Sequence, residues 1–396
     1  MNRIFLDVHA LQTVPPSNLN RDDTGAPKTA VYGGVPRARV SSQAWKRAAR
    51  TYFSDEHLLD PSELGVRTKK IVEAVADRIT VLDPSIGTEA ALHIADETVK
   101  ATGLKTEVPK RKATAAKDGE PDPAPEAKYL VFLSTRQLDG LARIAVEGAA
   151  DITAHLNKET KAKAKEIADT HHSVDIALFG RMVADAADFN VDAAVQVAHA
   201  ISVHRVENES DYYTAVDDEN TDEETGAGMI GTVDFNSSTL YRYAALGVHQ
   251  LAANLGEGLR DDEPLTTPVR RAVEAFVHGF TASLPTGKIN TFGHHTMPDA
   301  VVVKLRTTRP VSFVAAFEEP VRGDQGGYVR KASERLAEFI PDIERAYGDE
   351  DSTLTWVLRV GPNTAKLAGI GTEAQNIGEL VAAVGKAVAE RLEKPA

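Results

Sequence analysis

Between Arg3 and Gln12 the chain alternates with a period of two, which admits little but a strand. Ile4, Leu6, Val8 and Ala10 share one side; Phe5, Asp7, His9 and Leu11 share the other. One face is wholly apolar and the other mixed, the pattern of a sheet with helices on one side and an accessible surface opposite. Further along the period changes to 3.6. On a helical wheel, Gln43, Lys46, Arg47 and Arg50 fall in one arc, while Ala44, Trp45, Ala48, Ala49 and Tyr52 occupy the opposite side. The apolar side must bury, which places Trp45 in a core and leaves a face of three cations and an amide with no carboxylate.

A solvated helix face usually mixes signs, because i,i+4 Glu–Lys pairs add stability. Ser41 and Ser42 precede this helix and read as its N-cap, leaving the first N–H groups and the positive dipole end open to an anion. Arg21, Lys28, Arg37 and Arg39 add cations upstream, against Asp22 and Asp23. The segment is basic within a chain of net charge −13. It is either a soluble surface or a phosphate-binding one, and Lys and Arg spread around capping serines point to an extended polyanion, which Arg can grip as a fork.

Around this segment the chain reads in order as follows. Asn18–Tyr32 is a polar loop, and Gly33-Gly34 a hairpin turn or a close backbone approach. Helical composition dominates Thr68–Ile79, Thr88–Thr102, Thr135–Leu156 and Lys158–Thr170, interrupted by the Pro-, Ala- and Lys-rich stretch Glu107–Lys128, which reads as an exposed loop. Ser173–Met182 and His199–Glu207 read as strands. Two β-rich flanks, Asp211–Val216 and Met229–Tyr243, enclose an acidic middle and predict a long hairpin arm. Leu246–Glu257 reads as helix, Ala300–Arg306 as strand, Val311–Glu318 as the start of a helix, Ser352–Val360 as strand and Glu373–Leu392 as the last helix. Without a long parallel series, the pattern is α+β with a largely antiparallel sheet, from which a helical block and a hairpin arm depart.

Composition removes several function classes. Cysteine is absent, excluding disulfides and thiol chemistry. No apolar run approaches the roughly 20 residues of a membrane span, and MNRIFLDVHA turns polar at once, unlike a signal peptide. A cytoplasmic protein with no membrane partner is expected. The acidic total argues against non-specific coating of nucleic acid while permitting one basic track.

The ordered set SNLNRDD, YGG, RVSSQAWKRAAR, VDIALFGRM, YTAVDD and SSTLYRYA resembles the backbone subunit of the type I-E CRISPR Cascade complex, the CasC family of the RAMP superfamily, over nearly the whole chain. The resemblance implies an RRM-like (ferredoxin-like) palm, an inserted helical fingers domain and a β-hairpin thumb, here at 1–57, 173–205 and 241–396 for the palm, 58–172 for the fingers and 206–240 for the thumb. It implies a non-enzymatic antiviral-defence subunit without cofactor or metal. Copies of it stack in a helical filament on a guide RNA (crRNA), beside other Cascade subunits, and present the guide to target DNA. Asn20, Arg21, Lys28, Ser41, Gln43, Lys46 and Arg50 match the family's RNA-backbone track. Met182 matches a position beside the kinked base, and Tyr213 and Thr214 match the thumb, where an aromatic ring flanks the displaced nucleotide.

Other groupings read as structural. Asp22 and Asp23 offer the alternative of a metal-dependent ribonuclease on the same fold, against loop stabilisation by carboxylates beside Arg21. His171-His172, His294-His295 and the pair His199 and His204 lack the spacing of a hydrolytic zinc site. Gly33-Gly34 and Gly226-Ala-Gly228 lack a Walker lysine. His9 reads as a satisfied sheet histidine, and the acidic run Asp217–Glu224 as facing solvent or a neighbouring subunit's basic patch.

Overall fold

The computed structural model describes residues 3–109, 123–183, 186–215, 229–256, 263–323, 327–347 and 353–393. The run Asp217–Glu224 and most of Glu107–Lys128 lie outside them. The chain divides into two compact units: Met1–Glu56, Gln196–Val248 and Val273–Ala396 form the first, His57–Val195 and His249–Ala272 the second.

The first unit is built on one sheet. Its main strands are β1 (Phe5–Ser17), β2 (Thr29–Tyr32), β3 (Val35–Val40), β4 (Ala200–Ser202), β5 (Glu209–Ala215), β6 (Met229–Gly247), β7 (Ala300–Arg306), β8 (Leu354–Arg359) and β9 (Thr372–Glu373), and the short strand Val195–Val197 also pairs with β6. They lie in the order β9-β8-β7-β1-β6-β4-β3-β2, with β5 paired to the outer end of β6. The pairings are antiparallel except β8–β9, so the sheet is antiparallel-dominated as expected. Gly33 and Gly34 take φ of 58° and 75°, the left-handed conformations that a two-residue β2–β3 hairpin demands.

Both faces of this sheet are covered. On the apolar face, helix α1 (Ser42–Asp55) buries Trp45, Ala49 and Phe53, and Trp45 packs with Val14, Ala38, Val40, Ala200 and Leu240. The mixed face is not the accessible surface that the alternation predicts. Asp7 and His9 are 0% and 1% exposed, beneath Val311–Phe317 and helix α2 (Val329–Tyr347). His9 stacks 4.2 Å from Phe313, and its Nδ1 lies 2.8 Å from Tyr241 Oη, so it is a core histidine. The polar residues of that face pair inward: Arg306 Nε donates to Asp7 at 2.8 Å, and its other end to Glu344. Val311–Glu318 does not start an α-helix; Val314–Phe317 is one 3₁₀ turn.

The second unit packs helices Ile71–Leu82, Thr88–Ala101, Thr135–Glu147 and Lys158–Asp169 around a core of Val75, Ile79, Ile94, Leu138 and Leu141. A capping box starts the third: Ser134 Oγ accepts from Gln137 N and Gln137 Oε1 from Ser134 N. Thr106–Glu107 pairs with Glu126–Ala127, pinning the ends of the proline-rich stretch. Ser173–Met182 is not a strand. Val174–Phe179 is a short helix: Asp175 Oδ1 accepts from Ser173 Oγ, Ile176 N and Gly65 N, and Gly180 at φ 77° ends it.

Candidate nucleic-acid interface

The chain from Asn18 to Tyr52 builds the site by short-range bonding. Ser41 caps α1, its Oγ accepting from Ala44 N at 3.3 Å, and is itself buried. Asn20 Oδ1 accepts from Ser41 N at 2.9 Å, and its carbonyl from Lys28 N at 3.0 Å. One asparagine thus ties both ends of the loop to the start of the helix. Asn18, fully buried, donates to Gly25 O and Asp234 O at 2.9 Å each, which fastens the loop tip to the foot of the β5–β6 hairpin. Asn18 is a positioning residue that its type alone does not reveal.

Inside the loop, Asp22 Oδ1 accepts from Thr24 N, Thr24 Oγ1 and Ala26 N at 2.9, 2.7 and 3.0 Å. These bonds, Thr24 Oγ1 first, hold its carboxyl below the usual range. This is an Asx turn, the local stabilisation weighed above against metal binding. Among the described residues no group of three His, Asp or Glu side chains could hold a metal ion, and Arg21 forms no ion pair. An open depression of about 540 Å³ lies over this loop, lined by Asn20, Arg21, Asp22, Asp23, Thr24 and Gly287 among others.

On α1, Gln43 and Arg47 are exposed, and Lys46 and Arg50 half-buried. Burial lowers the Lys46 ammonium from its usual range, and no partner faces it among the described residues. Beneath the helix, Arg242 is fully buried with its guanidinium 3.8 Å from the Trp45 ring, donating to Gln12 Oε1 at 2.6 Å and to Phe280 O. That cation fixes the buried side of the helix and leaves the other cations outside.

The hairpin pairs Glu209–Ala215 with Met229–Phe235 in register. Tyr212 and Tyr213 stand on alternate faces, 59% and 43% exposed, and Thr214 is exposed as well. Asn20, Arg21, Lys28, Ser41, Gln43, Lys46, Arg50, Tyr213 and Thr214 all belong to the first unit, and Met182 to the second. Met182 is 82% exposed beside well-anchored backbone. Arg181, buried, donates to Phe189 O and Phe132 O, its guanidinium lowered to about 10 by burial; Val183 N donates to Asn190 Oδ1 at 2.7 Å.

The fold of this chain is similar to that of chains in solved CRISPR RNA-guided surveillance complexes. A chain of a "CRISPR RNA-guided surveillance complex, pre-nicking" matches with a TM-score of 0.81 and 32% identity, over 97% of this chain and 100% of its own. A chain of another "CRISPR RNA-guided surveillance complex" matches at 0.71 and 30%, over 97% and 99%. The protein is thus similar in fold and sequence to surveillance-complex subunits. The chain belongs to the CT1975-like protein family, whose match spans residues 6–383. Comparison with curated proteins gives no match. Among the described residues, no helix is long and apolar enough to cross a membrane.

Proposed function

We propose that the chain is the crRNA-binding backbone subunit of a type I-E Cascade complex, a non-enzymatic scaffold of the CasC family. In this reading 1–57, 173–205 and 241–396 form the RRM-like palm, 58–172 the fingers, and 206–240 the hairpin thumb. Copies assemble along the spacer RNA beside other Cascade subunits and present the guide for pairing with target DNA.

The observation that carries the reading is Lys46: a half-buried ammonium that no partner faces among the described residues, on a helix face of one sign, in an acidic chain. Burying an uncompensated cation is unfavourable, and a phosphate removes that penalty. Lys46, Arg50, Lys28 and Arg21 neutralise phosphates, Gln43 and the start of α1 hydrogen-bond to the backbone, and Asn20 and Ser41 hold loop and helix in register. Met182 and Tyr213, with Thr214, flank a displaced base. Contacts to phosphate and to base faces suit a scaffold that must accept any spacer.

The test is guide-RNA affinity against salt. Each phosphate contact on a single strand contributes about 0.7 to the log–log slope, so Lys46→Ala with Arg50→Ala should flatten it by about 1.4. An unchanged slope removes these residues from the track and the reading with them.

A further inference from the structure

Arg37 and Arg39 stand two apart on β3 and so on one face of the sheet. Their surroundings differ. Arg37 is 0% exposed, and its guanidinium donates to the carbonyls of Tyr32, Ser202, Phe317 and Glu318; it is a structural cation. Arg39 lies beyond that cover, half-exposed. Its Nε donates to Thr29 O at 3.0 Å, and its Nη1 lies 3.1 Å from Nδ1 of the exposed His199.

That contact fixes chemistry. A guanidinium has no lone pair to offer, so His199 Nδ1 must be the acceptor, and the ring proton sits on Nε2. Nε2–H has no hydrogen-bond partner among the described residues. Lys28 is the third member: its carbonyl accepts from Arg39 N at 2.9 Å. Burial first, then the charges of Arg39 and Lys28, hold the His199 imidazolium below the usual range. Neither Lys28 nor Arg39 has a carboxylate partner among the described residues, in a chain with 58 acidic and 45 basic residues. The same two side chains line a crevice with Asn236 and Ser238 at the foot of the hairpin.

We propose that Lys28, Arg39 and His199 form a further phosphodiester-binding point for guide RNA, in which Arg39 supplies charge and orients a neutral His199 that donates through Nε2–H. It rests on the RNA-backbone reading of α1 and extends that track from the helix to the root of the hairpin. Because the imidazole carries no charge, its share is hydrogen bonding without counterion release.

The experiment measures affinity for labelled guide RNA against salt and pH in folded variants. At pH 7.5, His199→Ala weakens binding several-fold and leaves the salt slope unchanged, whereas Arg39→Met reduces the slope by about 0.7. Between pH 7.5 and 6 the wild type responds to acid less than Arg39→Met does. In Arg39→Met, Nδ1 is released, His199 protonates nearer its ordinary range and binding tightens on acidification; adding His199→Ala abolishes that response. Arg39→Lys, which keeps the charge, retains the slope. If Lys46→Ala with Arg50→Ala weakens binding while His199→Ala and Arg39→Met do not, this site is refuted and the track on α1 stands. If none of these changes matters, both readings fall.

Discussion

The ring of Tyr213 lies across Gly231, its cross-strand partner: a Cβ on the glycine would come within 2.5 Å of Tyr213 Cζ and Oη. The glycine is a flat seat that sets where the exposed tyrosine stands, an arrangement in which an aromatic ring covers a bare strand backbone.

Stacking on a base is worth about 1–3 kcal/mol, so Tyr213→Ala should weaken guide binding roughly 5- to 150-fold. Gly231→Ala should produce a loss of similar kind by displacing the ring, and the double variant should lose little beyond either single one. Fluorescence of a 2-aminopurine placed in the guide would report ring contact directly. Fully additive losses would show that the two residues act separately.

The scaffold reading also predicts that guide RNA incubated with magnesium stays intact. Asp22→Asn keeps an oxygen for Thr24 and Ala26 and should leave stability within about ±0.5 kcal/mol. A denaturing gel decides between the readings: discrete fragments that disappear with Asp22→Asn or Asp23→Asn would establish the ribonuclease alternative.

Legibility followed the range of the interactions. Strand β1, the cationic face of α1, the core position of Trp45 and both hairpins are written in local periodicity or paired glycines. The cover over Asp7 and His9 is not, because Val311–Phe317 joins β1 across three hundred residues of sequence and has no period of its own. Val174–Phe179 resembled a strand because so short and mostly apolar a run fits either period; in the structure Asp175 Oδ1 accepts from Ile176 N in its first turn. Helix α2 carries Pro341 within it, a residue that argues against a helix interior. On the candidate site the cations were legible. That Arg37 is buried while Arg39 is open depends on how far along their shared strand face the distant segment at Phe317 and Glu318 reaches.

The covered face yields a stability prediction. Asp7 accepts from Arg306 Nε, Tyr243 Oη and Val311 N, yet burial outweighs these bonds and pushes its carboxyl above the usual range. Asp7→Ala leaves Arg306 with Glu344 alone and should cost about 3–5 kcal/mol, read as a lower denaturant midpoint. Replacing Asp7 and Arg306 together by apolar residues should cost less than Asp7→Ala, since the guanidinium is then not stranded and Glu344 keeps Lys304 at 3.6 Å. A larger loss in the double variant would contradict this account.

A pH effect belongs to the second unit. Gln137 Nε2 shares its two protons among Ala168 O, Thr170 O and His172 Nδ1, the last at 3.3 Å; an amide nitrogen does not accept, so Nδ1 can only be an acceptor, which requires a ring without a proton there. Burial first, then Arg181 and His171, lower His172 to about 4. Its unfolded value is the higher one, so between about 6.5 and 4 the unfolded chain holds a proton the native one lacks. The contribution is complete above that window and declines as pH falls through it, by no more than about 1.4 kcal/mol per pH unit, less for a ring partly open to water. Denaturant midpoints from pH 7.5 to 4.5 should therefore fall less steeply in His172→Asn, whose side-chain oxygen can accept from Gln137 without titrating. Equal slopes in wild type and variant would mean that His172 does not carry the acid sensitivity of this unit.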